Sequence, residues 1–310
     1  MKFALLVFIL LLSHAAEAAS DGCIGIESYC QGFRRSSSSS PAYPSTSSSV
    51  SLNPAAVPTN KSLGLEMIYF KPSPDFALVT GTGRVGAALS PTSAEETFFG
   101  NPGFELSGDY LQRHIEKKKF VSQKIALATA VNVWSNKSSG LKKLSVNLGL
   151  LGRYNKITKS IKPGGGISAI AGPLTVGYAY AEDEFAIDDP TFIPFQYKTA
   201  TYSVGLSLKS LAVDYSNLTL SAENGFVPIK IQLVTASLLL QKWIITAAQR
   251  TENSLRPEYD KTTQSLVFKE KKTDVFGGVQ FAVHKKVLIG AFYNYYLLDE
   301  LSVGLTVFAF

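Results

Sequence analysis

From Leu63 to the C-terminal Phe310 the chain is dominated by a two-residue alternation. Over Leu144–Asn155, the positions Leu144, Val146, Leu148, Leu150, Gly152 and Tyr154 oppose Ser145, Asn147, Gly149, Leu151, Arg153 and Asn155. Over Phe120–Trp134, Val121, Ile125, Leu127, Val131 and Val133 share one parity, and Lys124, Ala126, Ala128, Ala130 and Asn132 share the other. Successive side chains of a strand point to opposite faces, so this pattern predicts β-strands with one apolar and one small-or-polar face. Related stretches start at Leu63, Phe76, Leu174, Tyr197, Leu211, Ile229, Trp243, Ser265, Val287 and Leu301. Many run ten to fifteen residues, whereas strands of soluble domains cluster at about five or six. Long strands joined by short polar breaks predict an all-β fold, a transmembrane antiparallel β-barrel of about twelve strands. Ten and fourteen also fit the even number that single-chain bacterial barrels use. A soluble exported β-sandwich is the rival reading.

Some segments break the pattern. Ser93–Lys119 has no clean period, and Leu106–Lys119 suits one short helix. Glu182–Gln196 carries Asp183, Glu184, Asp188 and Asp189 with Pro190 and Pro194, and reads as a solvated acidic loop. It lacks the dense acidic spacing of a calcium loop. Asn253–Thr263 reads as a second polar loop.

The N-terminus adds a location. Lys2, the apolar run Phe3–Leu12 and Ala16-Glu17-Ala18 form the positive, hydrophobic and small-x-small parts of a secretory signal peptide, residues 1–18. Residues 19–60 form a second unit. Cys23 and Cys30 are expected to pair in an oxidising compartment, and a Ser/Pro-rich linker follows over Gln31–Val50. That linker is expected to lie in the periplasm or to thread the barrel as a plug. Residues 61–310 are assigned to the barrel. Only 17% of the chain is charged, below the roughly 25% of soluble domains, as a lipid-facing surface requires. The net charge of +6 is spread along the chain and predicts no nucleic-acid surface.

Little here points to catalysis. His114 and His284 stand apart from any second His, Cys or carboxylate at ligand spacing, so no metal, cofactor or enzyme activity is expected. The small-or-polar parity carries the lumen-facing candidates Lys124, Lys143, Asn147, Arg153, Asp214, Lys230, Gln232 and Arg250. In an open lumen such a cationic wall would focus anions. In a closed one the same residues would pair with the few acids.

Two short motifs carry a resemblance. Asn53-Pro54-Ala55, just before the first strand, resembles the N-terminal region of the long-chain fatty-acid and hydrophobic-compound transporter family of outer-membrane proteins. Gly100-Asn101-Pro102-Gly103 matches it more loosely. The resemblance implies an N-terminal segment folded into the lumen and a hydrophobic cargo that leaves sideways through a kink, for which Gly81, Gly83 and Gly164–Gly166 are the candidates. Phe308 and Phe310 resemble the C-terminal signal read by the outer-membrane assembly machinery. Together these features predict a monomer in the outer membrane of a Gram-negative-type envelope, its N-terminus periplasmic, in contact with lipid and lipopolysaccharide. The expected function is passive transport of a small or hydrophobic solute. The alternative is a closed structural or surface-binding barrel.

Overall fold

A computed structural model describes residues 53–57, 59, 61–69, 74–90, 124–136, 144–185, 194–208, 211–222, 229–240, 242–253, 256–260, 265–269, 272–284, 287–294 and 301–308. The signal peptide, the Cys23–Cys30 pair, the Ser/Pro-rich linker, the helix expected over 106–119, the turn at 100–103, Lys143 and Phe310 lie outside the described residues.

The described residues form sixteen strands: β1 (Ser62–Tyr69), β2 (Pro74–Gly81), β3 (Val85–Ser90), β4 (Lys124–Ser135), β5 (Leu144–Asn155), β6 (Ile161–Ala171), β7 (Leu174–Phe185), β8 (Phe195–Ser207), β9 (Leu211–Ala222), β10 (Ile229–Leu240), β11 (Trp243–Asn253), β12 (Arg256–Asp260), β13 (Ser265–Lys269), β14 (Lys272–His284), β15 (Val287–Asn294) and β16 (Leu301–Phe308). Fourteen of them pair antiparallel with their neighbours, and β12 with β13 makes a separate two-stranded sheet. β1 pairs with β2 on one side and with β16 on the other, Gly64 opposite Phe308, so the ladder returns to its start as a closed barrel. The count is therefore fourteen rather than about twelve. The Ser265–Val283 stretch, one long strand or a pair by its pattern, divides between the small sheet and the wall.

Cross-strand partners share a face, and the burial alternation identifies the two faces. In β5 the buried set is Ser145, Asn147, Gly149, Leu151, Arg153 and Asn155, opposite an outer row that includes Leu148 and Leu150. β4 pairs Ala126, Ala128 and Ala130 with Arg153, Leu151 and Gly149, which places these small residues inside. The register shift between Asn132 and Trp134 lets Val133 and Trp134 both be exposed. β6 holds Pro163 and three glycines, yet it pairs in unbroken register with β5 from Tyr154↔Ile161 to Leu144↔Ala171. Its turn to β7 is two residues, Gly172-Pro173, with Gly172 at φ 60. A two-residue hairpin needs positive φ at its first position when the second is held near −65° by Pro, and glycine supplies it without steric cost.

The strand connections differ at the two ends. On the end where β1 begins they are residues 82–84, 136–143, 172–173, 208–210, 241–242 and 285–286. The other end carries 70–73, 91–123, 156–160, 186–194, 223–228, 254–271 and 295–300.

Candidate functional site

The interior of the barrel is where polar side chains converge, and it has three regions. The first is a seat for the N-terminal segment. Pro54–Ala56 form one turn of 3-10 helix against the inner faces of β4, β5 and β6. Pro at the first helical position suits its fixed φ, and the Asn53 side chain caps the turn by accepting the Ala55 N–H at 3.0 Å. Asn53 Nδ2 then donates to the carbonyl of Ile167 at 3.2 Å, and Ser168 Oγ donates to the carbonyl of Ala55 at 3.4 Å. The wall makes room with glycine. A Cβ on Gly149 would overlap the backbone of Pro54 and Ala55, and one on Gly166 would overlap Asn53 Oδ1. Val57 completes the seat in an apolar cluster with Val79, Ala88, Ala126, Ala128, Ala130, Leu151 and Ala181. The chain then leaves along the turn between β2 and β3, where Gly83 N–H donates to the Thr59 carbonyl at 2.7 Å.

The second region is a buried charge cluster at the long-loop end. Asp183 is 1% exposed. Its carboxylate lies 3.1 Å from Lys124 Nζ and 3.3 Å from Arg153 Nη1, and accepts the Tyr197 hydroxyl at 2.9 Å and the Glu184 N–H at 2.8 Å. Lys124 Nζ also donates to Tyr197 Oη at 3.4 Å. Beside it, Glu184 accepts from Thr158 and Ser160 in the β5–β6 turn and faces Lys162 Nζ at 3.6 Å. Two cations sharing one fully hydrogen-bonded carboxylate satisfy the condition under which buried charges are tolerated. The solvated-loop reading of Glu182–Gln196 is corrected here. β7 continues to Phe185 and β8 starts at Phe195, so Asp183 and Glu184 belong to the wall. Their charge resembled a loop because the partners Lys124 and Arg153 lie 59 and 30 residues away.

The third region is lined by hydroxyls. Thr175, Thr199, Thr201, Ser203, Ser216, Thr235, Ser237 and Thr246 are buried on the inner faces of β7 to β11. Ser237 and Thr246 bond to each other at 2.9 Å, and Thr199 donates to the Ala181 carbonyl at 3.3 Å. Ser203 Oγ and Thr235 Oγ1 have no hydrogen-bond partner among the described residues.

The lumen-facing candidates divide. Lys124, Asn147 and Arg153 are buried on the inner face, and Asp214 pairs with inward Thr235 and Gly205. Asn147 Oδ1 accepts from Asn132 Nδ2 at 2.7 Å. Arg250 sits at an inner register position opposite Leu233 and Asp274. The expected lumenal placement of Lys230 and Gln232 is overturned. In β10 Ile231 and Leu233 are buried, 1% and 4% exposed, while Lys230 and Gln232 are exposed on the outer face. Polarity misassigned the parity because the outer row of this strand turns polar toward its loop end, with Val234, Leu238 and Leu240 following.

Compared with known proteins, no family model and no curated sequence matches the chain. Solved outer-membrane proteins do share features of its chain path. OmpT of Vibrio cholerae is 11% identical over 80% of this chain and 95% of its own, at a TM-score of 0.39. A mutant porin of Rh. blastica is 10% identical over 80% and 97%, at 0.41. The CymD monoaromatic hydrocarbon channel is 11% identical over 87% and 93%, at 0.42. Scores this low leave the architecture resting on the strand pairing itself.

Proposed function

We propose that this chain is an outer-membrane β-barrel whose lumen is occupied by its own N-terminal segment, which makes it a closed barrel with a structural or surface-binding role. The outer face supports the membrane. Every barrel strand except β9 presents exposed large apolar side chains, with Leu150 at 70%, Ile161 at 72% and Leu127 at 52%. So wide a belt on a closed wall has no place in water and suits a hydrocarbon layer. Trp134 and Trp243, at the short-turn ends of β4 and β11, suit an interfacial aromatic girdle, and Trp243 packs on Phe281 with ring centroids 4.4 Å apart. Short turns where β1 begins, and longer connections opposite, support a periplasmic N-terminus. A barrel of this kind meets lipid and lipopolysaccharide along that belt and reaches the membrane through the assembly machinery.

The observation that carries closure is the seated Asn53–Val57 turn, with two wall glycines shaped to it. The test is solute flux and conductance of the purified full chain in liposomes and planar bilayers. Absence of both, with the folded barrel present, supports the closed reading, and a steady pore in the unaltered chain refutes it.

A second reading, passive transport of a small or hydrophobic solute, is favoured by the hydroxyl-lined region. A water-filled path would meet the hydroxyls of Ser203 and Thr235, which are buried without a hydrogen-bond partner among the described residues. In this reading displacement of the N-terminal segment opens the path, and a variant lacking it conducts.

A further inference from the structure

We propose that the hydroxyl-lined wall of β8–β10 holds a binding site for a small monovalent cation, built on Asp214 with Ser203 and Thr235. The register brings these residues together. Asp214 stands opposite Thr235 on β10 and Gly205 on β8, and Ser203 opposite Ser216 lies in the adjoining row of the same face. Facing side chains in an antiparallel pair have Cβ atoms about 5 Å apart, which lets the Thr235 hydroxyl share an ion with the Asp214 carboxylate, and Ser203, a diagonal neighbour at about 7–8 Å, faces the carboxylate from the other side. Gly205, between Asp214 and Thr175, leaves a side chain's width free beside the carboxylate.

Two independent observations ask for a ligand there. Ser203 is 2% exposed and Thr235 4% exposed, and the hydroxyl oxygen of each is buried without a hydrogen-bond partner among the described residues. Buried polar atoms are nearly always partnered, and leaving one unmade costs about 1–3 kcal/mol. Asp214 is the other. No described residue gives it a hydrogen bond or an ion pair, whereas Asp183 and Glu184 each face a cation. Asp214 is half-buried, and a carboxylate facing two buried hydroxyls in the lumen draws a counter-charge. Carboxylate and hydroxyl oxygens are hard donors, which select a hard cation or an ammonium group over a soft metal. A single acid with neutral hydroxyls matches one positive charge. The site stands whether or not any solute crosses the barrel.

Sodium nuclear relaxation of the folded full chain in detergent tests it, because a bound sodium ion broadens the resonance without any need for passage. The unaltered chain is expected to show excess broadening that potassium or ammonium displaces, and Asp214→Asn to lose that excess. Stronger displacement by methylammonium than by potassium assigns the site to an organic ammonium group, and the reverse to a metal ion. Retained heat-modifiable gel migration shows that each variant is folded. Should Asp214→Asn fail to fold, Thr235→Val and Ser203→Ala, which keep the charge, are each expected to weaken displacement. No excess in the unaltered chain means that water or a proton on Asp214 satisfies the cluster, and overturns the proposal. Equal excess in folded Asp214→Asn, or in folded Thr235→Val and Ser203→Ala, overturns it as well.

Discussion

Gly149→Ala is expected to expel the N-terminal turn from the lumen while leaving the barrel intact. The added methyl lands on backbone atoms of Pro54 and Ala55, so no rotamer change relieves it. Gly149 lies within the unbroken β5–β6 ladder, opposite Gly166, and the wall has little freedom to retreat. Unseating the turn loses the Asn53–Ile167 and Ser168–Ala55 hydrogen bonds, about 1 kcal/mol each. Exposure of Val57 costs roughly 1.5 kcal/mol more. The seat is therefore stabilised by about 3.5 kcal/mol, and its loss shifts the seated fraction by at least on the order of 100-fold. Thiol labelling reads this directly. In a background with Cys23 and Cys30 replaced by Ser, Val57→Cys is expected to react slowly, because position 57 is 1% exposed. Adding Gly149→Ala should raise its rate by a factor on the order of 100. Gly152→Ala in the same strand is the control, since a Cβ there meets nothing within 4 Å. Equal, slow labelling in both glycine variants would refute the seat as the reason for Gly149.

Three further outcomes follow from the wall. Asp183→Asn strands Lys124 and Arg153 beside a neutral amide and is expected to cost about 3–5 kcal/mol, measured as a lowered urea midpoint of the folded gel band. Leu150→Arg, at an outer position 70% exposed, is expected to destabilise insertion by about 2–4 kcal/mol in bilayers, where a surface site in water would leave stability unchanged. Deletion of Phe310 is expected to lower the surface level of folded protein without altering the thermal midpoint of the fraction that inserts; unchanged levels would remove its role as an assembly signal.

The membrane belt and the alternation of β4, β5, β7 and β8 were legible in sequence, because an outer row of Leu, Val and Tyr leaves a period of two wherever the inner row is small or polar. The parity of β10 was not, since both of its rows mix apolar and polar residues and only its partners fix the face. Asp183 was hidden for a different reason. Its charge is cancelled by residues two and three strands away along the wall, and a linear reading sees only the acids beside it. The Asn53-Pro54-Ala55 motif was visible, but its complement, the glycines at 149 and 166, reads as ordinary strand punctuation until the turn lies against them.

The seam between β1 and β16 fixes an order of events. Gly64 meets Phe308, so the hoop has no last stave until the whole chain is present, and contacts this distant in sequence form late. The turn at Asn53–Val57 precedes every strand, yet it rests on β4 to β7. It reaches that seat on the concave side of the curling sheet before the first and last strands meet, or along the barrel axis after they do. Once they do, the wall offers it no sideways exit, and any later departure runs along the barrel axis. Closure thus restricts the traffic of this segment to the barrel axis, and the few kcal/mol of its contacts hold it in its seat.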